Sequence, residues 1–224
     1  MILFDSVDIN SVAGVKIEDI KVSGVKFSPV TRQRAIAAGA DFVRNRAAGR
    51  TVTVIFAVLK QDRNARQAAI SAINAWAKSD KEYKLEIIGH PGRYLMAVCT
   101  EKPDPSTRQW WEAKLKLVFT CFDDPYWIGP EKSAACGTSF RVLGDAPPIM
   151  RIEPTGTSFT LDGRTMSFSS VPSGSVIDLN RQTAEIGGVS IMQYYALTGH
   201  FIRPALGAQT ITGTGTVYWR ERWA

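Results

Sequence analysis

The sequence predicts a mainly β protein in two parts. The first is an α+β domain, mostly antiparallel sheet with a single helix, and the second is a small β-sandwich. Three observations carry this. Trp110 to Trp127 (WWEAKLKLVFTCFDDPYW) begins as a long alternating strand: Trp111, Ala113, Leu115, Leu117, Phe119 and Cys121 fall in one register, and Glu112, Lys114, Lys116 and Thr120 in the other. That period of two marks a strand with one buried face. Before it lies one segment with a helical period, Asp62 to Lys78. After it the chain is rich in Gly, Ser and Thr and shows only short strands at even spacing with turn residues between them, the pattern of a sandwich. The long strand stops at Asp123-Asp124-Pro125, because proline removes a ladder donor and pushes the preceding residue out of helical space. Asp123 to Pro130 is the expected joint, with domains at 1–128 and 129–224.

Composition agrees. The chain has 224 residues, 45% hydrophobic and 21% charged, with mean hydropathy −0.08, which is globular and long enough to bury a core. No apolar run approaches the roughly 18 residues of a membrane helix. The opening MILFDSVDIN has neither the basic nor the apolar region of a signal peptide. Cys99, Cys121 and Cys136 are odd in number and form no CxxC, which favours buried reduced thiols over a disulfide. The net charge of +6 is uneven: residues 1–129 hold 19 Lys and Arg against 14 Asp and Glu, and residues 130–224 hold 8 against 7. A basic first domain permits nucleic-acid or acidic-surface binding without establishing it.

In chain order, the MILF run around Phe4 opens a first strand. Val15 to Phe27 reads as strand, with Val15 and Ile17 in one phase and Ile20 and Val22 in the other; the break near Glu18-Asp19 predicts a bulge. Ser28-Pro29 is expected to end it. Thr31 to Arg50 holds Arg32, Arg34, Arg44, Arg46 and Arg50 against one acid, Asp41, and a small run from Ala35 to Ala40, so it reads as an exposed excursion between strands. Thr51 to Leu59 (TVTVIFAVL) is almost wholly apolar or β-branched, which predicts a strand covered on both faces. Asp62 suits a helix N-cap, and Ala65, Ala69, Ile73 and Trp76 follow as one helical face. Lys81 to Ile88 and Tyr94 to Thr100 form a hairpin through His90-Pro91-Gly92-Arg93, whose Pro and Gly suit a type II turn. Lys102 to Thr107 is a loop into the Trp110 strand.

In the second half, Phe159 to Phe168 turns at Asp162-Gly163, which favours type I′. Val176 to Leu179 and Thr183 to Ile186 form a hairpin around Asn180-Arg181. Gly187-Gly188 leads to Val189–Met192, and Thr214-Gly215 separates Thr210–Gly213 from Thr216–Trp219. No helix is expected here.

Chemistry has little support. His90 and His200 are the only histidines, and no GxSxG, HExxH, P-loop or GxGxxG is present. Two isolated histidines and three scattered cysteines do not make metal-ligand spacing. The acidic pair Asp123-Asp124, standing before a proline, reads as a turn or cap. An enzyme is not expected, and neither is a cofactor or a metal.

The order of FDSVDIN, a basic loop, TVTVIF, one amphipathic helix, a hairpin, a strand running into CFDDPYWIG and a small sandwich closing on YWRERW resembles the distal tail protein (Dit) family of long-tailed bacteriophages and phage tail-like particles. The likeness covers essentially the whole chain. Asp124-Pro125-Tyr126-Trp127 is its most specific part, followed by TVTVIFAVLKQDRNARQAAISAINAWAKSD. The chain departs from the family in having Gly207-Ala208-Gln209 where members often carry Gly-x-Asn before the closing hairpin, and it has no room for an inserted carbohydrate-binding module. The resemblance implies an antiparallel split-barrel-like N-domain and a galectin-like sandwich. It also implies structural work as a homo-hexamer at the tail tip of a virion made in the bacterial host cytoplasm. The ring of N-domains would meet the major tail (tube) protein on one face and the hub, lysin or fibre protein on the other. DNA would pass through its lumen without sequence-specific binding.

On that picture the inter-subunit contacts fall to Arg32, Arg34, Phe42, Arg44, Arg46 and Arg50 in a flexible arm lying on a neighbour, where Arg pairs with carboxylates bidentately. The alternative is a solvated basic loop. The inter-domain joint falls to Asp124, Pro125, Tyr126 and Trp127, with the two aromatics packing the joint or forming a sugar platform. Of Trp110 and Trp111, adjacent on a strand, one faces the core and the other the opposite side. Trp219 and Trp223 belong to the core and edge of the sandwich. The competing function is a β module that binds nucleic acid or a cell-surface glycan; binding to DNA would be steeply salt-dependent.

Overall fold

A computed structural model describes residues 1–11, 14–33, 40–60, 62–103, 113–196 and 200–224, with backbone alone at 32, 33, 40–46, 113 and 114. The chain divides into two units, Met1–Trp127 and Ile128–Ala224. Unit 1 contains β1 (Ile2–Phe4), β2 (Val7–Asp8), β3 (Val15–Val22), β4 (Lys26–Gln33), β5 (Ala40–Val58), α1 (Arg63–Trp76), β6 (Tyr83–Ile87), β7 (Tyr94–Glu101) and β8 (Ala113–Cys121). Its strands form an antiparallel sheet in the order β2-β1-β6-β7-β8-β5-β3, and β4 pairs with the first half of β5.

The centre of this sheet is the β5–β8 ladder, which runs without a break from Arg50↔Cys121 to Val58↔Ala113. Val52, Val54 and Phe56 stand opposite Phe119, Leu117 and Leu115, and all six are buried. Directly opposed residues share a face, so these make one continuous apolar layer. The other face of β5 carries Thr51, Thr53 and Ile55, which are half-buried, and Ala57, which is buried. The expectation of a strand covered on both faces is met in part: β5 is flanked within the sheet by β3 and β8, and its second face is closed at Ala57 but only partly covered from Thr51 to Ile55. The bulge expected near Glu18 is present between Ile17 and Asp19. It lets Val15 and Ile17 before it, and Ile20 and Val22 after it, all face the row from Val58 to Val52.

Two expectations fail at the basic segment. Ser28-Pro29 does not end a strand, and the described parts of the excursion expected over Thr31 to Arg50 are strand, Thr31 to Gln33 and Ala40 to Arg50. β4 runs through Pro29, opposite Asn45, and pairs with β5 from Lys26↔Gly49 to Gln33↔Ala40. Proline is tolerated because β4 has a partner on one side only among the described strands, as on any edge strand. The ladder slips twice, near Lys26/Phe27 and Val30/Thr31.

Helix α1 begins as expected: Asp62 is its N-cap, and its carboxylate accepts the Ala65 N–H at 2.7 Å. The buried stripe is Arg66, Ala69, Ile70, Ile73 and Trp76; Ala69, Ile73 and Trp76 lie on it as expected, while Ala65 is exposed and Arg66 and Ile70 widen the stripe on one side. Arg66 buries its stem and donates from Nη2 to the Lys60 carbonyl at 3.1 Å, as long cations do. Trp76 enters an aromatic cluster, its ring 5.6 Å from Phe4 and 5.9 Å from Phe119, with Phe4 and Phe119 4.9 Å apart. Its Nε1 donates to the Val7 carbonyl at 2.8 Å. The β6–β7 turn has Gly92 at φ +71° and the Arg93 N–H donating to His90 O at 3.2 Å, as a type II turn requires. The expected loop after Lys102 and both Trp110 and Trp111 lie wholly or largely outside the described residues.

Unit 2 follows from β9 (Trp127–Ala135), whose first residue closes unit 1. This strand includes Gly129 and Pro130, which were expected in the joint. Then come β10 (Ser139–Val142), β11 (Ala146–Pro154), β12 (Ser158–Leu161), β13 (Arg164–Ser167), β14 (Ser175–Asp178), β15 (Thr183–Ile186), β16 (Val189–Ser190), β17 (Gly207–Thr210) and β18 (Gly215–Trp223). A sheet β16-β15-β14-β11-β18-β9 and the ribbons β10–β17 and β12–β13 enclose one core. Met150, Ile152, Phe159, Leu161, Met166, Ile177, Val217 and Trp219 belong to it. The β12–β13 hairpin turns at Asp162 (φ +50°) and Gly163 (φ +73°), both left-handed as type I′ demands. The β14–β15 connection is longer than expected, Leu179–Gln182. It is held by the Asp178 carboxylate, which accepts the Asn180 and Arg181 N–H groups at 2.9 Å each. The expected closing hairpin is absent, because β17 pairs with β10 and β18 with β11.

Phe119→Ala should destabilise unit 1 by about 3–5 kcal/mol, read as a lower urea midpoint, since its ring touches both Phe4 and Trp76.

Candidate functional site

The arginine-rich segment is a two-stranded ribbon. Its register sets Arg32 opposite Asp41, Thr31 opposite Phe42, Val30 opposite Arg44 and Ser28 opposite Arg46. Four of the six residues expected at an interface (Arg32, Phe42, Arg44 and Arg46) therefore lie on one hairpin. Arg34 lies outside the described residues. Arg50 does not go with them.

The strand crosses from the ribbon into the core ladder at Gly49, at φ +140°. A Cβ there would stand 3.0 Å from the Cys121 carbonyl oxygen, so the crossing needs glycine. Arg50 is then the first rung of the core ladder, opposite Cys121, and is only 3% exposed. This is a correction: Arg50 is buried at the start of the core ladder rather than carried out on the arm. Its guanidinium carbon stands 5.8 Å from the centre of the Trp127 ring, within cation–π range. Nε and Nη1 have no hydrogen-bond partner among the described residues. Burial lowers the Arg50 pKa, partly offset by Cys121 and Tyr126. Burial also pushes the Cys121 thiol up to about 12, with Glu82 adding to it and Arg50 opposing; such a thiol is inert at neutral pH.

Trp127 is 2% exposed and stacks on His90, ring centres 4.0 Å apart at 24°. A ring so covered offers no face to a sugar. The approach to it is held by two carboxylates. Glu82 Oε1 accepts the Phe122 N–H at 2.7 Å and the Asp123 N–H at 3.3 Å. Asp124 Oδ1 accepts the Tyr126 N–H at 3.3 Å, the turn role expected of that acidic pair. Pro125 is buried and Tyr126 half-buried. His90 and Glu82 belong to this constellation but were not singled out from sequence as part of it. His90 has its pKa lowered by burial and by the charges of Arg93 and Arg50.

Unit 2 differs electrostatically. Arg151 lies 3.1 Å from Glu131 and 3.3 Å from Glu153, with its guanidinium 4.6 Å from the Tyr218 ring centre. Arg220 approaches Glu131 at 3.5 Å. Buried Glu221 receives Lys132 Nζ at 2.8 Å and the Leu143 N–H at 3.0 Å. Among the described residues, no three metal-ligating side chains converge.

Among solved structures the chain is similar to the SPP1 Dit protein, described as a paradigm of the hub adsorption apparatus in Gram-positive infecting phages. The TM-score is 0.78 at 16% identity, covering 100% of this chain and 98% of that one. It is also similar to a chain of the phage P2 baseplate in its activated conformation with Ca, with TM-score 0.52 at 8% identity, covering 100% and 97%. At these identities the likeness is one of fold. No family model and no curated protein matches the chain.

Trp127→Ala should cost about 3–5 kcal/mol, visible as a lower melting temperature; an unchanged one would mean the ring fastens nothing. Arg50→Met should leave unit 1 as stable as before, or more stable by about 1 kcal/mol, because it replaces a buried cation with unpaired N–H groups by an apolar chain. Urea denaturation checks this, and a large loss would show the guanidinium to be fully bonded.

Proposed function

We propose that this protein is a distal tail protein of a long-tailed phage or phage tail-like particle, a structural hub at the tail tip with no catalytic role. The observation that supports this most is the correspondence of fold with the SPP1 Dit protein over essentially the full length of both chains, which takes in the α+β unit, the sandwich and their order. On this reading six copies close into a ring through heterologous contacts. The ring joins the tube protein to the hub, lysin or fibre protein, and the chain is a virion component.

The β4–β5 ribbon is the arm in this proposal. It carries Arg32, Arg44 and Arg46 on a hairpin whose outer strand has no further partner among the described residues, and guanidinium groups there would meet carboxylates of the next copy. Domain roles follow the same division, with unit 1 building the ring.

Light scattering and negative-stain imaging across a concentration series test this directly. Rings of six are expected at high concentration or with the hub partner; monomers throughout, together with salt-sensitive binding to DNA, would favour a nucleic-acid module instead. Replacing residues 29–45 by Asn-Gly, which joins the opposed pair Ser28 and Arg46 through a type I′ turn, should leave folded monomers that form no rings. Loss of the monomer fold would make the ribbon part of the core.

A further inference from the structure

At the end of unit 1, three groups from distant parts of the sequence lie against one another. Trp127 is the last residue before the chain leaves for unit 2. Its ring is buried and stacks on His90 of the β6–β7 turn at 4.0 Å, and Arg50 of β5 stands 5.8 Å from the same ring. Among the described residues, the charged groups bearing on His90 are Arg93 of its own turn and Arg50. The carboxylates of Glu82 and Asp124 bear on the Cys121 thiol, and Tyr126 bears on Arg50.

We propose that this stack is an acid-released latch: with His90 neutral it clamps the end of unit 1 onto its own sheet, and protonation of His90 opens it. Neutral imidazole stacks flat on indole, ring face on ring face, without placing a net charge against it. Adding a proton places a third positive charge beside two guanidiniums, one of them buried with unpaired N–H groups. The imidazolium gains a cation–π contact with Trp127, but Arg50 already occupies that role, and desolvation and like-charge repulsion oppose the gain.

The sign follows by linkage. The folded protein takes up the His90 proton less readily than the unfolded chain, whose value is near 6.5. The latch is therefore fully closed above that value. Its stability falls as pH drops below it and levels off once the folded form also titrates. Each pH unit between the two values is a tenfold change in the folding equilibrium.

The test compares the full chain with His90→Phe, which keeps the stack and cannot titrate, and with His90→Gln as a second variant should the first fail to fold. At pH 7.5, hydrogen exchange in peptides spanning 122–127 should match between the native protein and His90→Phe; His90→Gln, which cannot stack, should exchange faster than the native protein at pH 7.5 and draw level with it at pH 5.5. At pH 5.5 it should be at least several-fold faster in the native protein than in His90→Phe. The melting temperature of the native protein should fall relative to the variant over the same interval. With only two histidines in the chain, the variant also assigns the proton NMR titration of His90, expected below 6.5. Identical exchange at both pH values, or a titration at or above 6.5, would overturn the latch.

Discussion

The structure of unit 1 depends on the register of one ladder. From Arg50↔Cys121 to Val58↔Ala113, β5 and β8 stay in step over nine rungs, and this sets Val52, Val54 and Phe56 against Phe119, Leu117 and Leu115. A slip of one residue by β8 would turn Leu115, Leu117 and Phe119 away from Val52, Val54 and Phe56 to the other face. It would also separate Phe119 from Phe4 and Trp76, and so detach the helix. The same register decides where Arg50 points, since it is the end rung. The buried cation and the aromatic stack beside it are thus consequences of the core ladder.

Much of this was legible because local pattern and final environment agree. The alternation of Leu115, Leu117, Phe119 and Cys121 has one solution, and the phase break at Glu18-Asp19 has no explanation in a regular strand. Asp62, Pro91-Gly92 and Asp162-Gly163 act through backbone chemistry within a few residues, so their roles need no tertiary context. The β4–β5 ribbon was not legible. A two-stranded ribbon needs only backbone bonds, and residues such as Arg, Ala and Asn, without apolar alternation, leave no periodic trace. Pro29 argued against a strand because it said nothing of whether that strand had neighbours on both sides.

Other misreadings share a cause in long-range partnership. Thr214-Gly215 looks like a hairpin turn, yet β17 and β18 find their partners about seventy residues back in β10 and β11. Arg66 reads as polar, but a guanidinium that reaches a backbone carbonyl leaves its stem free to be buried. His90 gave only a turn signal; its stacking partner is 37 positions away, and nothing near it in sequence announces Trp127. Charge shows the same divide. Arg151, Glu131 and Glu153 could be counted from the sequence, but only the sheet shows that unit 2 neutralises itself locally, leaving the basic excess to unit 1.

The 19-residue β5 belongs to two ladders in succession, and this has a mechanical meaning. A force applied to the basic ribbon reaches the core through a single continuous strand that crosses at Gly49. Pulled along its axis, the far half of β5 is loaded in shear, so the rungs to β8 and to β3 resist together rather than parting one after another. The ribbon is thereby fixed against extraction along its axis by the core ladders on both sides of β5.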